Sequence, residues 1–167
     1  MILFDDSCLG NCIHYYHGGT DVIEIPRLDK TSKYSKDFGD GFYCTIYRNQ
    51  AVRWAKRKSK ILRKEAIINR YSIENLDTLS VKRFNTINDE WLDFVVSCRT
   101  GKMHNYDIVE GPMADDTIFN TVNDYINGVI TKKAFYALIE FKYPTHQICF
   151  CTDRAVNRLL YKGREVI

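Results

Sequence analysis

Three short segments carry residue types that could act on one ligand: Tyr16-His17-Gly18, Phe38-Gly39-Asp40-Gly41-Phe42-Tyr43 and His146-Gln147-Ile148. Each lies where an aromatic or β-branched run begins or ends, the pattern of a strand terminus. A glycine at such an end leaves backbone N–H and C=O groups open, and without a Cβ a ligand can come close to them. A ring bearing a carboxamide would use both groups at once. Tyr43, framed by glycines, offers a flat face for stacking. A polar group on a neighbouring strand would then hold a sugar hydroxyl.

The six cysteines are Cys8, Cys12, Cys44, Cys98, Cys149 and Cys151. The start of the chain, MILFDDSCLGN, carries acids where an export signal carries basic residues. The cysteines are therefore read as thiols in a cytoplasmic protein. Cys8, Cys12, His14 and His17 are crowded together, with no long loop to wrap a tetrahedral zinc, so no metal is expected. Cys149 and Cys151 fall on one face of a strand and are expected to act as small buried apolar groups. No phosphate-binding loop, dinucleotide glycine fingerprint, HExxH or GxSxG motif occurs, which removes the main supports for kinase, dehydrogenase, zinc-protease and serine-hydrolase readings.

The elements that must position these residues are legible from periodicity. Strands are predicted at Cys12–Tyr16 and Gly41–Thr45, with residues 21–41 between them as a long loop of the kind that carries function. A helix follows over Arg48–Lys60, with Ala51, Trp54 and Ala55 on its inner stripe. Ala66–Ile73 and Leu79–Phe84 are expected to pair as a hairpin. Thr86 caps a helix whose Trp91, Phe94, Val95 and Cys98 face inward. Tyr106–Val109 is a strand, Asp115 and Asp116 open a helix, and Thr131 starts another that stops before Pro144. His146–Thr152 is a strand, Asp153–Leu160 a short helix, and Arg164–Ile167 a sheet-edge tail. Strands and helices mix without regular alternation, which predicts an α+β fold.

At 167 residues the chain is one domain, long enough to bury a core without staples. Its 24 basic and 21 acidic residues leave a net charge of +3, too mild for a nucleic-acid coat. Apolar runs are too short to span a membrane. One stretch departs from this balance: Arg53, Lys56, Arg57, Lys58, Lys60, Arg63 and Lys64 occur with no acid between them. Such a run is either a solvated helix face or a landing patch for phosphates.

Taken in order, the segments resemble the ADP-ribosyltransferase superfamily, in its diphtheria-toxin and poly-ADP-ribose-polymerase-like branch, and most closely a bacterial domain family of unknown function within it. The resemblance rests on Tyr16–Gly18, Asp37–Thr45, Gln50–Ala55, Tyr106–Asp116 and His146–Thr152, covering about residues 14–160. It implies a single domain with a split antiparallel β core and flanking helices. It also implies NAD as substrate, with His17 on a ribose hydroxyl and Gly18 pairing its backbone with the nicotinamide carboxamide. Tyr43 would stack on the ring and Trp54 would supply a second aromatic, although its place on the apolar stripe also fits core packing. Thr20, Phe38 and Gly41 belong to the same implied NAD-binding set.

Gln147 stands where the catalytic glutamate of that superfamily lies. It can accept the same hydrogen bond without the charge, and charge-assisted bonds are about twice as strong. A carboxylate from Glu110, Asp115 or Asp116, beside the Gly111-Pro112 turn, is the expected substitute as general base. The implied activity is transfer of one ADP-ribose to a protein or nucleic-acid acceptor, with release of nicotinamide. The implied setting is a bacterial toxin held by a small antitoxin-like partner. The alternatives are a non-catalytic NAD or ADP-ribose binder and a nucleic-acid-directed protein using the 53–64 basic run.

Overall fold

The computed structural model describes residues 13–28, 36–139 and 145–167. Cys8, Cys12 and the expected helix stop before Pro144 lie outside them. The described elements are β1 (Tyr15–Gly19), β2 (Phe42–Cys44), α1 (Arg48–Leu62), β3 (Ile67–Ile73), a 3-10 turn (Leu76–Thr78), β4 (Val81–Arg83), α2 (Asp89–Arg99), β5 (Ile108–Gly111), α3 (Asp116–Ile126), α4 (Lys132–Leu138), β6 (Gln147–Phe150), α5 (Asp153–Val156) and β7 (Leu159–Val166).

The strands form two sheets, and the class is α+β. The first has the order β1-β3-β7, antiparallel throughout; the second runs β2-β6-β5-β4, antiparallel except for the parallel pair β4–β5. Both sheets feed one core: Tyr15, Tyr71 and Leu159 of the first pack with Phe42, Ile108 and Phe150 of the second. The other face of the second sheet carries Val109 and Cys149 against Trp91, Leu92, Val95, Ile118, Val122 and Phe135 of α2, α3 and α4. On the other face of the first sheet, Ala51 and Ala55 of α1 pack on Ala66 and Ile68.

Four expectations change. The Ala66–Ile73 and Leu79–Phe84 runs form no hairpin. β3 is the central strand of the first sheet, with Ile68 against α1 and Tyr71 in the shared core, while β4 pairs with β5 in the other sheet. The Asp153–Leu160 helix ends at Val156, because Leu159 enters the core as the first residue of β7. The cap of α2 is Asn88, whose side-chain oxygen accepts from the Trp91 N–H at 2.9 Å, and not Thr86. Trp54 leaves the inner stripe of α1 and is 46% exposed.

Asp107 ties the second sheet to its surroundings. Its carboxylate accepts from the Ser80 N–H at 2.8 Å, the Thr152 hydroxyl at 2.7 Å and the Arg154 Nε at 2.9 Å. The Arg154 guanidinium, more than any other group, holds this carboxyl well below the usual carboxylate range. Among the described residues no helix is long and apolar enough to cross a membrane.

Candidate functional site

The two sheets touch along one short seam. The Tyr16 N–H donates to the Thr45 carbonyl at 2.8 Å, and the Thr45 N–H donates to the Tyr16 carbonyl at 2.9 Å. Alternate residues of a strand send their backbone groups to the same edge. The N–H and C=O of Gly18 therefore also point toward β2, but β1 and β2 have parted there and no described residue bonds them. Continuing the register by two residues sets Gly18 opposite Tyr43. Tyr16, Gly18, Tyr43 and Thr45 share this face, and the β2–β6 register puts Gln147 across from Thr45 on the same face. Only glycine fits at 18: a Cβ would lie 2.2 Å from the Ala51 carbonyl oxygen of α1. The same contact admits only small residues on the inner side of the helix and leaves Trp54 outside.

His17 faces the other way. Its ring stacks on Phe42 with centroids 4.7 Å apart. Nδ1 lies 2.7 Å from the Tyr43 carbonyl; a carbonyl only accepts, so Nδ1 carries the proton and Nε2 presents a lone pair. Burial, reinforced by Lys58 and Lys36, lowers the His17 pKa to about 4 and keeps the ring neutral. His17 forms one wall of a cleft of about 330 Å³ with Gly19, Thr20, Asp21, Ile23, Lys58, Ile61 and Leu62. Tyr43 is not in that wall. His17 and Tyr43, expected to meet one ligand, thus lie on opposite faces of the seam. They are joined through the Tyr43 carbonyl.

Tyr43 is held at its tip. Its hydroxyl donates to the Gly39 carbonyl at 2.7 Å and accepts from the Phe38 N–H at 3.1 Å. Lys36 lies 5.4 Å from the ring centroid. Burial pushes the phenol well above its usual pKa. Gly41 is needed for close approach, since a Cβ would sit 2.5 Å from both the Cys149 Sγ and the Phe150 carbonyl oxygen. Phe38 is fully buried against Phe84 and Phe94, so its role is core packing and not ligand contact. Thr20 lines the cleft and donates to Asp21 at 3.0 Å.

Gln147 is buried and occupied. Its amide nitrogen donates to the Asp37 Oδ2 at 2.9 Å and to the Pro112 carbonyl at 3.2 Å. Asp37 also accepts from the Ala114 N–H at 3.1 Å and from Arg99, an ion pair sealed from solvent. A glutamate at 147 would set two carboxylates side by side, so this network favours the amide.

The three acids named as substitutes do not converge. Glu110 stands opposite Ile148, on the sheet face away from Tyr43, and binds the His146 Nε2 at 2.9 Å and the Arg83 Nε at 3.1 Å. Asp115 caps α3 by accepting from the Thr117 and Ile118 N–H groups. Asp116 pairs with Arg57 of α1 at 2.7 Å. Trp54 carries Arg57 and Lys58 over its ring, 5.7 and 5.9 Å from the centroid.

No role was expected for Asp37 or Lys36, and Lys58 was expected only as part of the basic run. The first two directly precede the glycine-tyrosine segment, and that adjacency was the available signal. Arg99, the last residue of α2, gave none.

A family described as "Protein of unknown function (DUF3990)" matches residues 13–161 of the chain. No curated protein matches it.

Proposed function

The chain belongs to the DUF3990 family, and from its site we propose an NAD-dependent mono-ADP-ribosyltransferase that modifies a macromolecular acceptor and releases nicotinamide. In this reading the two sheets are the split β core of an ADP-ribosyltransferase. The observation that carries it is the open N–H and C=O pair of Gly18 opposite Tyr43. That pair is complementary to a primary carboxamide: the N–H donates to the amide oxygen and the C=O accepts from the NH2. Tyr43 stacks on the pyridine ring once Lys36 swings aside, and the His17 Nε2 accepts a ribose hydroxyl. Gln147, already bonded to Asp37, contributes position and no charge.

The outward face of α1 would dock the protein or nucleic-acid acceptor, or the small neutralising partner of a cytoplasmic toxin pair. Incubation with NAD and a cell lysate, followed by mass spectrometry, should reveal added ADP-ribose that disappears in His17→Ala and Tyr43→Ala. Absence of both modification and nicotinamide release at high protein concentration rejects the enzyme.

One observation favours a second reading. No carboxylate among the described residues reaches the seam free of a structural partner, which suits an NAD or ADP-ribose binder that performs no chemistry. Clear NAD binding without nicotinamide release selects it. A nucleic-acid-directed role for α1 alone predicts affinity that collapses with salt and ignores NAD.

A further inference from the structure

Outside this site, the strongest chemical cluster lies at the end of β6. The Cys149 and Cys151 sulfurs are 3.3 Å apart. Two residues of strand rise separate their Cα atoms by about 6.6–6.8 Å, at the long edge of the disulfide range of about 4.4–6.8 Å. Cys151 is the first residue past the strand, where the backbone has more room to adjust. It is partly exposed, while Cys149 is fully buried. The His104 ring lies beside Cys151, and its Nε2 lies 3.1 Å from the Phe38 carbonyl.

We propose that Cys149 and Cys151 form a peroxide-responsive dithiol that closes reversibly into an intramolecular disulfide. The Cys151 thiolate attacks one oxygen of hydrogen peroxide. An S–O bond forms, the O–O bond breaks and hydroxide leaves, so that sulfur loses two electrons and the peroxide gains them. The Cys149 sulfur then attacks the sulfenic sulfur of Cys151. The S–S bond forms, the S–O bond breaks, and the departing hydroxide takes the Cys149 proton as water. Two thiols and one peroxide give one disulfide and two waters.

The division of labour follows from the surroundings. The Cys149 sulfur 3.3 Å away, with His104 behind, draws the Cys151 pKa below that of an ordinary thiol. Burial pushes Cys44 well up and Cys98 to about 12, so neither competes as a thiolate. The Cys149 thiol also reaches the Asp40 carbonyl at 3.8 Å. Closing the disulfide removes that donor, and His104 holds the same loop at Phe38. The dithiol thus acts on the loop whose Gly39 carbonyl anchors Tyr43. The chemistry of the pair does not depend on the NAD reading.

The full-length reduced protein is treated with hydrogen peroxide, denatured, alkylated with iodoacetamide and digested with trypsin. The peptide Tyr143–Arg154 holds both cysteines and no other. It should emerge unalkylated and about 2 Da lighter than its reduced form, for the two thiol hydrogens lost. Dithiothreitol should restore two alkylation sites, while Cys44 and Cys98 alkylate as in untreated protein. Cys149→Ser should leave Cys151 as a dimedone-trappable sulfenic acid, and His104→Asn should slow closure several-fold. The proposal is overturned if both sulfurs still alkylate after peroxide, or if Cys44 or Cys98 oxidises as fast. It is equally overturned if the peptide crosslinks to another one, or if Cys151 proceeds to sulfinic acid beside a free Cys149. The wild-type readouts stand whether or not the variants fold.

Discussion

Gln147 gives the sharpest test of how single side chains set this site. Its amide donates to Asp37, which already serves Arg99 and the Ala114 backbone. Gln147→Glu should therefore cost about 1–3 kcal/mol, the usual penalty for an unsatisfied or repelled buried polar group. A lower thermal midpoint would register this, and an unchanged midpoint would refute the network argument. Asp37→Ala should cost more, about 3–5 kcal/mol, because the Arg99 charge is left buried alone. His17 adds a pH signature. Its folded pKa of about 4 lies below the ordinary 6.5, so the unfolded chain takes up the proton first. The stability it contributes is complete above about pH 6.5 and is lost as the pH falls toward 4. Melts of wild type and His17→Gln across that window should show the wild type declining more steeply.

Among the elements, α1 and β1 depend on the absence of one carbon. Gly18→Ala would drive a methyl into the Ala51 carbonyl, and overpacking of this kind costs about 1–3 kcal/mol or more. Urea titration would measure it. Under the proposed function, NAD should also slow hydrogen exchange at the Gly18 amide and leave the β3–β7 pairing unchanged, a comparison that mass spectrometry with short peptides resolves.

At this scale the sequence was most informative where an element organises itself. The Trp91, Phe94, Val95 and Cys98 stripe, the Asp115 cap and the Thr131 cap all describe helices whose signals are local. It failed where the decision was made at a distance. Ala66–Ile73 reads as half of a hairpin because Leu79–Phe84 follows it, yet β3 is filled from both sides by β1 and by β7 from the end of the chain. Trp54 matched the helical stripe, but the depth of that stripe was set by a glycine on another strand. In the site, the strand registers set Gly18 opposite Tyr43 and put Gln147 on the Tyr43 face of the second sheet. The opposite orientation of His17 follows from strand alternation across a seam that no local pattern reveals.

Across the whole molecule, one core contains residues from both sheets. The chain should therefore melt in a single transition whose midpoint is the same by near- and far-ultraviolet circular dichroism; two separated midpoints would mean that the sheets fold independently. The mild net charge of +3 conceals a polarised surface, since α1 carries Arg48, Arg53, Lys56, Arg57, Lys58 and Lys60 and no acid.

The parting of β1 from β2 after a single bridged pair carries a cost for the protein that holds it open. Two more rungs would have stitched the sheets together and left nothing to solicit a guest. Under the proposed function, the unstitched notch welcomes any small primary amide, including the fragment that departs when NAD is split. Accumulating product should thus occupy the berth it has just vacated, and turnover should slow in step with its own output.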